Sequence, residues 1–349
     1  MRIFFCADMK DGPMQKGWQR ATTLQRLGAS VHRYSPHHYE PYALFRPEWW
    51  LLRLTRGRYL PRKVLEFNAV IAQEILSQKP DVIWIEKNWF LLPATLQKLR
   101  SQLPRTVFVN YQTDNPFGLR KSEFWRIFID TLPQYDVCFV MRDEDLIRFK
   151  RHGARQVKLA HYGFFEDIFH PYPLAEIPEH YRHEVVFIGT ALDHRTQTVA
   201  QLLEQGVPLH IYGNNWARFP VHRQYRAHFH GQANEEYAQI VSGSKIALGF
   251  VSSSNLDVYT DRSIEIPACQ GFFLGERTPK HQNLYREGQE AEFFESAHEC
   301  LDKIRYYLEH AEAREKIAAA GYHRCINSNY SMTRFMAECL DEIRKLQLW

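Results

Sequence analysis

Short apolar segments alternate with helix-like segments along this chain, and that alternation limits the folds open to it more than any other feature. In the first half, apolar runs of strand length cover residues 2–7, 30–34, 82–86, 106–110, 137–141 and 157–161. The helix-like segments between these runs are long enough to act as crossover connections between parallel strands. The alternation therefore predicts a parallel sheet with helices on both faces.

The pattern restarts after a proline-containing stretch at residues 170–178. New apolar runs cover residues 185–189, 208–212, 227–230, 245–250, 271–274 and 292–294. A chain of 349 residues is too long for one ordinary core and suits two domains. We predict a doubly wound, Rossmann-like domain over residues 1–170, a second one over residues 171–330, and a cleft between them. Residues 331–349 are predicted to form a helix that packs its apolar stripe back onto the first domain.

Composition excludes several classes of protein. Hydrophobic residues make up 45% and charged residues 24% of the chain, which is typical of globular proteins and argues against disorder. A net charge of +4 is too small for a protein whose whole surface binds polyanions. The six cysteines are scattered, without a C-x-x-C pair, and no apolar run approaches bilayer length. We expect a cytoplasmic protein, or one bound peripherally to the inner face of a membrane.

Two loops after predicted strands have features of phosphate-binding segments, because ligands of such sheets bind outside the carboxyl ends of the strands. Residues 8–17 contain glycines and lead into a helix, so backbone N–H groups near Gly17 are able to meet a phosphate. Gly189 permits close backbone approach, and Arg195 is placed to reach a diphosphate at the next helix start. A plain loop and a solvated arginine are the alternative interpretations.

Residues 257–271 form the most informative segment. Arg262 and Glu265 are three positions apart on a helix-like turn, and therefore lie on neighbouring faces. Such a carboxylate is able to accept two ribose hydroxyls, while the cation one turn earlier holds a phosphate. The alternative is an intrahelical ion pair worth a few tenths of a kcal/mol. The spacing alone does not decide between them.

A set of motifs in the second half occurs in a recognisable order. The motifs are FIGTALDHR, IYGNNW, HGQANEEYAQI, KIALGF, RSIEIPACQGFFL and KIRYYLEHAEAREKIAAAGYHR. On these motifs, residues 185–330 resemble the nucleotide-sugar-binding half of the GT-B glycosyltransferases. The specific resemblance is to the CgeB-like, spore-maturation branch, which is related to the group 1, or family 4, retaining enzymes. The first half matches more loosely, through features such as the loop at residues 111–117.

The resemblance implies a role for each candidate residue. The implied donor-binding set is Gly17, Gly189, Arg195, Tyr212, Asp257, Arg262 and Glu265. Glu265 matches the acidic residue that binds the ribose in relatives, and Arg195 with Arg262 would hold the diphosphate. Asp257 lies eight positions before Glu265, where relatives have a glutamate that contacts the donor sugar. At this position the chain departs from the pattern of those relatives by one methylene group.

Three acidic residues are candidates for a catalytic base. Asp114, Glu86 and Asp8 all follow or end predicted strands. An inverting reaction would need one of them as base, whereas a retaining reaction strictly needs none. For Asp114, an Asp-Asn-Pro turn is the alternative interpretation. The resemblance implies no metal and no bound cofactor, and a UDP-, GDP- or TDP-sugar as co-substrate.

Residues 42–63 combine aromatic and basic side chains, including Trp49, Trp50, Arg53 and Arg56. This combination suits an anionic membrane surface or an anionic acceptor. Nucleic acid is also compatible with stacking and phosphate contacts, but the charge is confined to one segment and we favour a lipid-linked or glycan acceptor. A partly buried insertion with a solvated basic edge is the alternative.

The leading hypothesis from the sequence is a metal-independent, retaining glycosyltransferase. It would move a sugar from a nucleotide donor bound by the second domain to a glycan, lipid-linked or protein acceptor bound by the first. A sugar-nucleotide epimerase of the same fold, and a catalytically degenerate module with a binding or assembly role, are the alternatives.

Overall fold

The computed structural model describes residues 1–10, 12–36, 47–55, 58–87, 90–119 and 123–346, without the side chains of Trp49, Glu123 and Phe124. The chain divides into two compact units. The first unit comprises Met1–His161 together with Thr333–Trp349, and the second comprises Tyr162–Met332.

The first unit contains a parallel sheet of six described strands in the order β2-β1-β3-β4-β5-β6. Their bounds are β1 Arg2–Cys6, β2 Ser30–Tyr34, β3 Val82–Glu86, β4 Val107–Gln112, β5 Val137–Val140 and β6 Val157–Leu159. Every residue of β3, β4 and β5 is buried. Burial on both faces is the reason these strands are nearly continuous apolar runs rather than alternating ones.

Helices connect these strands, as the sequence pattern predicts. They are α1 Lys16–Arg26, α2 Pro47–Leu54, α3 Arg62–Gln78, α4 Pro93–Gln102, α5 Glu123–Thr131 and α6 Asp143–Arg151. Helix α3 ends at Gln78 and is followed by Lys79, which adopts a left-handed conformation with φ of 44°. The apolar side chains of these helices and strands form one core, in which Phe4, Phe108 and Phe128 are fully buried.

The second unit repeats the architecture with the strand order β12-β11-β10-β7-β8-β9, again all parallel. The strands are β7 Val185–Ile188, β8 Leu209–Tyr212, β9 Phe229–His230, β10 Ile246–Gly249, β11 Phe273–Glu276 and β12 Glu292–Phe294. The helices are α7 Arg195–Glu204, α8 Pro220–Gln224, α9 Tyr237–Gly243, α10 Arg262–Ala268, α11 Pro279–Leu284, α12 Ala297–Glu309 and α13 Ala311–Asn327. The predicted doubly wound α/β architecture is confirmed.

The last helix, α14 Met332–Leu346, belongs to the first unit from Thr333 onward. Its apolar stripe is buried and consists of Phe335, Met336, Cys339, Leu340 and Ile343. Phe335 packs against Tyr111 of β4 at a ring-centroid distance of 6.2 Å, and Lys158 pairs with Glu342 at 2.6 Å. The helix therefore completes the first core, although it follows the whole second unit in the sequence.

All six cysteines are buried free thiols. Burial raises the pKa of the thiols of Cys269 and Cys339 well above the ordinary value, which disfavours the thiolate. These side chains pack as small apolar groups rather than acting as nucleophiles.

Truncating the stripe of α14 should destabilise the first unit. Ile343 is fully buried, so Ile343→Ala should lower the free energy of unfolding by about 2–5 kcal/mol through lost burial and a cavity. Urea unfolding followed by tryptophan fluorescence measures this change. Arg344→Ala, on the exposed face one residue further, is the control and should change it by about 1 kcal/mol or less. Equal losses in both variants would contradict the packing described for α14.

Candidate functional site

The strand order of the second sheet creates a switch point between β7 and β10. From β7 the chain proceeds through β8 and β9 on one side, and it then returns to place β10, β11 and β12 on the other. The loops after β7 and β10 therefore leave the sheet in opposite directions. Ligands of open α/β sheets bind outside the carboxyl ends of the strands at such a point. Residues 189–194 and 250–261 form these two loops.

Close backbone contact shapes the first of these loops. A Cβ atom on Gly213, whose φ is +140°, would lie 2.3 Å from the carbonyl oxygen of Gly189. A Cβ atom on Gly189 would lie 2.7 Å from the Phe187 ring. The same Gly189 carbonyl accepts a hydrogen bond of 2.9 Å from the Trp216 indole. Both positions therefore require glycine, and the loop after β7 lies tightly against the end of β8.

Arg195, the first residue of α7, is 3% exposed. Its guanidinium donates only long hydrogen bonds, to the carbonyl oxygens of Val251 at 3.3 Å and of Thr190 and Phe250 at 3.4 Å. No carboxylate of the second unit, which the structure describes throughout, forms an ion pair with it. Burial, with a further contribution from Arg262, lowers the pKa of Arg195 to about 10. The site therefore contains a buried cation whose charge lacks a bonded counterion.

Arg262, the first residue of α10, supplies a second guanidinium beside Arg195. It is near enough to lower the pKa of Arg195 by repulsion. Its Nε atom is buried and has no hydrogen-bond partner among the described residues. Two neighbouring guanidinium groups with unused donors have the chemistry of an anion site.

Asp193 joins the loop after β7 to the loop after β10. Its Oδ2 atom accepts hydrogen bonds from the Ser252 hydroxyl at 2.7 Å, the Ser254 hydroxyl at 3.2 Å and the Ser254 N–H at 3.3 Å. Burial alone would raise the pKa of Asp193, but these hydrogen bonds lower it. The carboxylate is thus held in its ionised form, and it fixes the two loops together.

Glu276, the last residue of β11, makes a second link between the same loops. One carboxylate oxygen accepts from the Val251 N–H at 2.6 Å, and the other bonds to Nε2 of His194. That hydrogen bond raises the pKa of His194, against the opposing effect of burial. The sequence interpretation missed Glu276, although its place at a strand end is the signal that would have found it.

A buried histidine fixes the position of α10. His281 is 1% exposed, and burial lowers its pKa to about 4, so the ring is neutral. Its Nδ1 donates to the carbonyl of Glu276 at 2.6 Å, and its Nε2 accepts from the Ser263 hydroxyl at 2.7 Å. The Ser263 hydroxyl in turn accepts from the Thr260 N–H at 3.1 Å. This chain of bonds holds the helix that carries Arg262 at the end of β11.

The two acidic residues of the predicted donor set lie in different elements. Glu265 is on α10 and is 5% exposed. Asp257 lies in the loop before that helix, where its Oδ1 accepts from the Asn255 amide at 2.8 Å and its N–H donates to the Ser252 carbonyl at 2.9 Å. Both lie at the carboxyl edge of the second sheet, on the same loop and helix as Arg262.

The Tyr212 side chain contacts a cluster of histidines. Its hydroxyl lies 2.8 Å from Nε2 of His183, and its ring stacks on His230 at a centroid distance of 4.5 Å. His210 stacks on His183 at 4.0 Å, and its Nδ1 lies 2.9 Å from Nε2 of His230. Burial raises the pKa of Tyr212 to about 12. This histidine cluster occupies the Tyr212 hydroxyl, which does not favour Tyr212 as a donor ligand.

In the first unit, Glu86 is a poor candidate for a base, contrary to the expectation from its strand-end position. It is 5% exposed, and its two oxygens accept from Arg20 at 2.6 Å each. The Trp84 indole donates to the same carboxylate at 3.2 Å. A general base needs an oxygen that can reach the proton it removes, and both oxygens of Glu86 are committed to Arg20.

The other two acidic candidates remain accessible. The Asp114 side chain is 34% exposed and lies 3.4 Å from the Lys87 ammonium. Asp8 is exposed, and its Oδ1 accepts from the Lys10 N–H at 3.2 Å. Gly17 lies beside it, because a Cβ atom there would lie 2.5 Å from the Asp8 carbonyl oxygen. The glycine thus lets α1 begin close to the end of β1.

The predicted surface segment is described in part. Trp50 is 59% exposed and Arg53 is exposed, whereas the Trp49 side chain and Arg56 lie outside the described residues. None of the described helices is long and apolar enough to cross a bilayer. Among the described residues, no three His, Cys, Asp or Glu side chains are grouped as metal ligands.

Comparison with known proteins identifies the class of fold. Residues 195–341 match the family model described as glycosyl transferase-like. A comparison with curated protein sequences gives no significant match. Two parallel six-stranded sheets with flanking helices constitute the GT-B fold of glycosyltransferases, and solved structures of that fold superpose on the chain over almost its full length.

Three solved structures illustrate the similarity. Sucrose-phosphate synthase from Thermosynechococcus elongatus is 13% identical, with 99% of each chain covered and a TM-score of 0.72. HepE from Anabaena, in complex with UDP and glucose, is 12% identical, with 99% of this chain and 100% of that chain covered and a TM-score of 0.68. An E. coli structure described as trehalose-6-phosphate bound with UDP-2-fluoro glucose is 13% identical, with 98% and 99% covered and a TM-score of 0.64. At these identities, the similarity establishes the fold.

The histidine cluster around Tyr212 should make the second unit sensitive to acid. Burial lowers the pKa of His183 to about 4, and it also lowers the pKa of His210 and His230. Below about pH 6.5 the unfolded chain therefore binds more protons than the folded one, and stability is lost as the pH falls. Thermal unfolding between about pH 7 and pH 5 should show this loss. His210→Gln should reduce it, because the folded state then has one imidazole fewer to keep neutral.

His298→Gln is the matched control for this measurement, because the His298 side chain is 86% exposed. The control should lose as much melting temperature on acidification as the unchanged protein. An equal loss in His210→Gln would show that the cluster does not determine the acid sensitivity.

Proposed function

We propose that the protein is a glycosyltransferase that uses a nucleotide-diphosphate sugar as donor, bound by the second unit. The observation that carries the proposal is the arginine pair, Arg195 and Arg262, at the switch point of the second sheet. A buried guanidinium without a carboxylate partner is costly, and a diphosphate would supply the missing negative charge. The match of residues 195–341 to a glycosyl transferase-like family supports the same conclusion.

The arginine pair would act on the leaving group. In the transfer, the bond between the anomeric carbon and the diphosphate oxygen breaks, and a bond to the acceptor oxygen forms. Negative charge grows on the diphosphate as its bond breaks, and Arg195 and Arg262 would stabilise that charge. The acceptor proton would pass to Asp114 or Asp8 if the anomeric centre inverts, or to the leaving diphosphate if it is retained.

The remaining donor contacts follow the sequence prediction. Glu265 would accept the two ribose hydroxyls, and Asp257 would contact the sugar. The Asn255 amide already holds one oxygen of Asp257, which leaves this residue less free to adapt to a sugar. HepE and the E. coli structure contain UDP groups, which favours a UDP-sugar over a GDP- or TDP-sugar as the donor.

The finer assignments are also proposals. We infer retention of configuration, hexosyl transfer and independence of metal from the resemblance to the family 4 enzymes, and placement in the CgeB-like branch from the ordered motifs. We propose that the first unit binds a glycan, lipid-linked or protein acceptor. Neither the epimerase nor the degenerate module is favoured by the comparisons.

Replacing Arg195 should weaken donor binding without destabilising the protein. Arg195→Met should weaken UDP binding by about 10- to 100-fold, because a charge-assisted contact is lost. The melting temperature should be unchanged or higher, because a buried guanidinium with only long hydrogen bonds is replaced by an apolar side chain of similar length. Calorimetry with UDP and thermal unfolding measure the two effects. The exposed Arg223→Met is the control, and equal UDP affinity in Arg195→Met and the unchanged protein would contradict the anion site.

Donor turnover tests the activity itself. Incubation with a panel of UDP-, GDP- and TDP-sugars, with and without acceptor glycans, should give transfer or slow hydrolysis of one donor. Glu265→Ala should abolish donor binding, whereas Glu235→Ala, at an exposed position of the same unit, should leave it unchanged. Epimerised donor without any acceptor would instead identify an epimerase. Absence of binding by any nucleoside diphosphate would overturn the proposal.

We further propose peripheral contact with anionic lipid through α2. Trp50, Leu51 and Leu54 are 59%, 43% and 75% exposed, while Leu52 anchors the helix in the core. Arg53 lies on the exposed side beside these apolar groups. Exposed aromatic and aliphatic groups beside a cation match the boundary between lipid headgroups and acyl chains.

Sedimentation with vesicles tests this surface. The protein should bind phosphatidylglycerol-containing vesicles better than neutral phosphatidylcholine vesicles. The double substitution Trp50→Ser with Leu54→Ser should reduce binding by about tenfold or more, because apolar area inserted into the membrane is lost. Leu174→Ser, at a site 58% exposed in the second unit, should have no effect. Equal binding of all variants, or binding that is insensitive to lipid charge, would contradict the proposal.

A further inference from the structure

A single carboxylate joins the end of one strand of the second sheet to the loops that follow two others. Glu276 ends β11, its Oε2 accepts from the Val251 N–H at 2.6 Å, and its Oε1 bonds to Nε2 of His194. Val251 follows β10, and His194 immediately precedes α7. The carboxylate thus connects the loop after β7 with the loop after β10, across the switch point.

The link extends to Arg195. The carbonyl oxygen of Val251 accepts from Nε of Arg195 at 3.3 Å, so Val251 is bonded both to Glu276 and to Arg195. His194 is the chain neighbour of Arg195. The two bonds made by Glu276 therefore act on a residue that is hydrogen-bonded to the Arg195 guanidinium and on the residue that precedes Arg195 in the chain.

We propose that Glu276 and His194 are a positioning pair for the donor, which holds the two loops in the arrangement that presents Arg195 and Arg262 to a diphosphate. This inference rests on the proposed function and adds residues to which nothing in the sequence motifs assigns a role. Neither side chain needs to touch the donor. Their effect is transmitted through Val251 and through the start of α7.

A purely structural link would be insensitive to protonation, but this one contains an ionisable ring. The charged groups that face His194 are Glu276 from β11 and Asp193 and Arg195 from its own loop, with Arg262 beyond Arg195. The bond to Glu276 raises the pKa of His194, which favours the imidazolium and a charge-assisted bond. Once the imidazolium loses its proton, the charge of Glu276 is uncompensated close to the diphosphate site. The affinity for an anionic donor should therefore fall as the pH rises.

UDP titrations at a series of pH values, in the full-length protein, test the pair. In the unchanged protein, the UDP affinity should fall by about tenfold between neutral and alkaline pH, which is the size expected when one charge-assisted bond is lost. His194→Gln and Glu276→Gln should bind UDP more weakly at neutral pH and should not show the alkaline fall. Comparison between variants cancels the ionisation of UDP itself.

A double-mutant cycle and a control carboxylate complete the design. If the two residues act as one pair, the double substitution His194→Gln with Glu276→Gln should bind UDP as well as the weaker single variant, rather than with additive losses. Glu295→Gln changes an exposed carboxylate at the end of β12 and should keep the unchanged pH profile. Melting temperatures of all variants show whether each is folded, and the His194→Gln profile provides the test if Glu276→Gln does not fold.

The outcomes separate the two proposals. UDP binding by the unchanged protein, together with the same affinity and pH profile in both single variants, would overturn the positioning pair and leave the glycosyltransferase proposal standing. Additive losses in the cycle would show that the two residues do not act as a pair. Failure of the unchanged protein to bind UDP, GDP or TDP would overturn the proposed function, and the positioning role with it.

Discussion

The buried guanidinium of Arg195 is the group around which the second unit is organised. It lies at the start of α7 with only long bonds to three carbonyl oxygens. A charge in this position is tolerated because carbonyl oxygens of the loops after β7 and β10 surround it. Asp193 and Glu276 also attract the guanidinium without forming an ion pair with it. A direct ion pair would have neutralised the cation and removed its capacity to hold an anion. The surrounding acidic links instead stabilise the loops and leave the guanidinium available.

The fold was predictable from the sequence because the spacing of apolar residues reflects which faces of a strand or helix are buried. Strands such as β3 and β4 are buried on both faces, so they appear as continuous apolar runs, and the restart after residue 178 marks the second sheet. Helix α10 was predictable for a different reason. The spacing of Arg262, Glu265 and Gly271 predicts a short helix followed by a glycine, and α10 ends at Ala268, three residues before Gly271.

The details of the site were less predictable, because they depend on partners distant in sequence. Glu86 ends a strand as predicted, but Arg20 of α1, 66 positions earlier, occupies its carboxylate. Tyr212 also ends a strand, yet its hydroxyl bonds to His183 on a neighbouring segment. Conversely, Glu276 carries no motif of its own, and its importance appears only when His194, 82 positions earlier, is brought beside it. A strand-end rule locates candidates, whereas the choice among them is made by tertiary packing.

The chain order of the first unit has a consequence for biosynthesis. Strands β1 to β6 leave the ribosome first, but the apolar side chains that α14 covers, including Tyr111, stay without that cover until α14 itself is released. The second unit, which is one uninterrupted stretch, is able to close its core earlier. When the chain reaches Met332 the second unit is complete in sequence, whereas the first unit still lacks α14, although most of the first unit is translated earlier. A chain that ended at residue 332 would contain the whole second unit but would lack α14, and would leave an exposed apolar surface on the first unit.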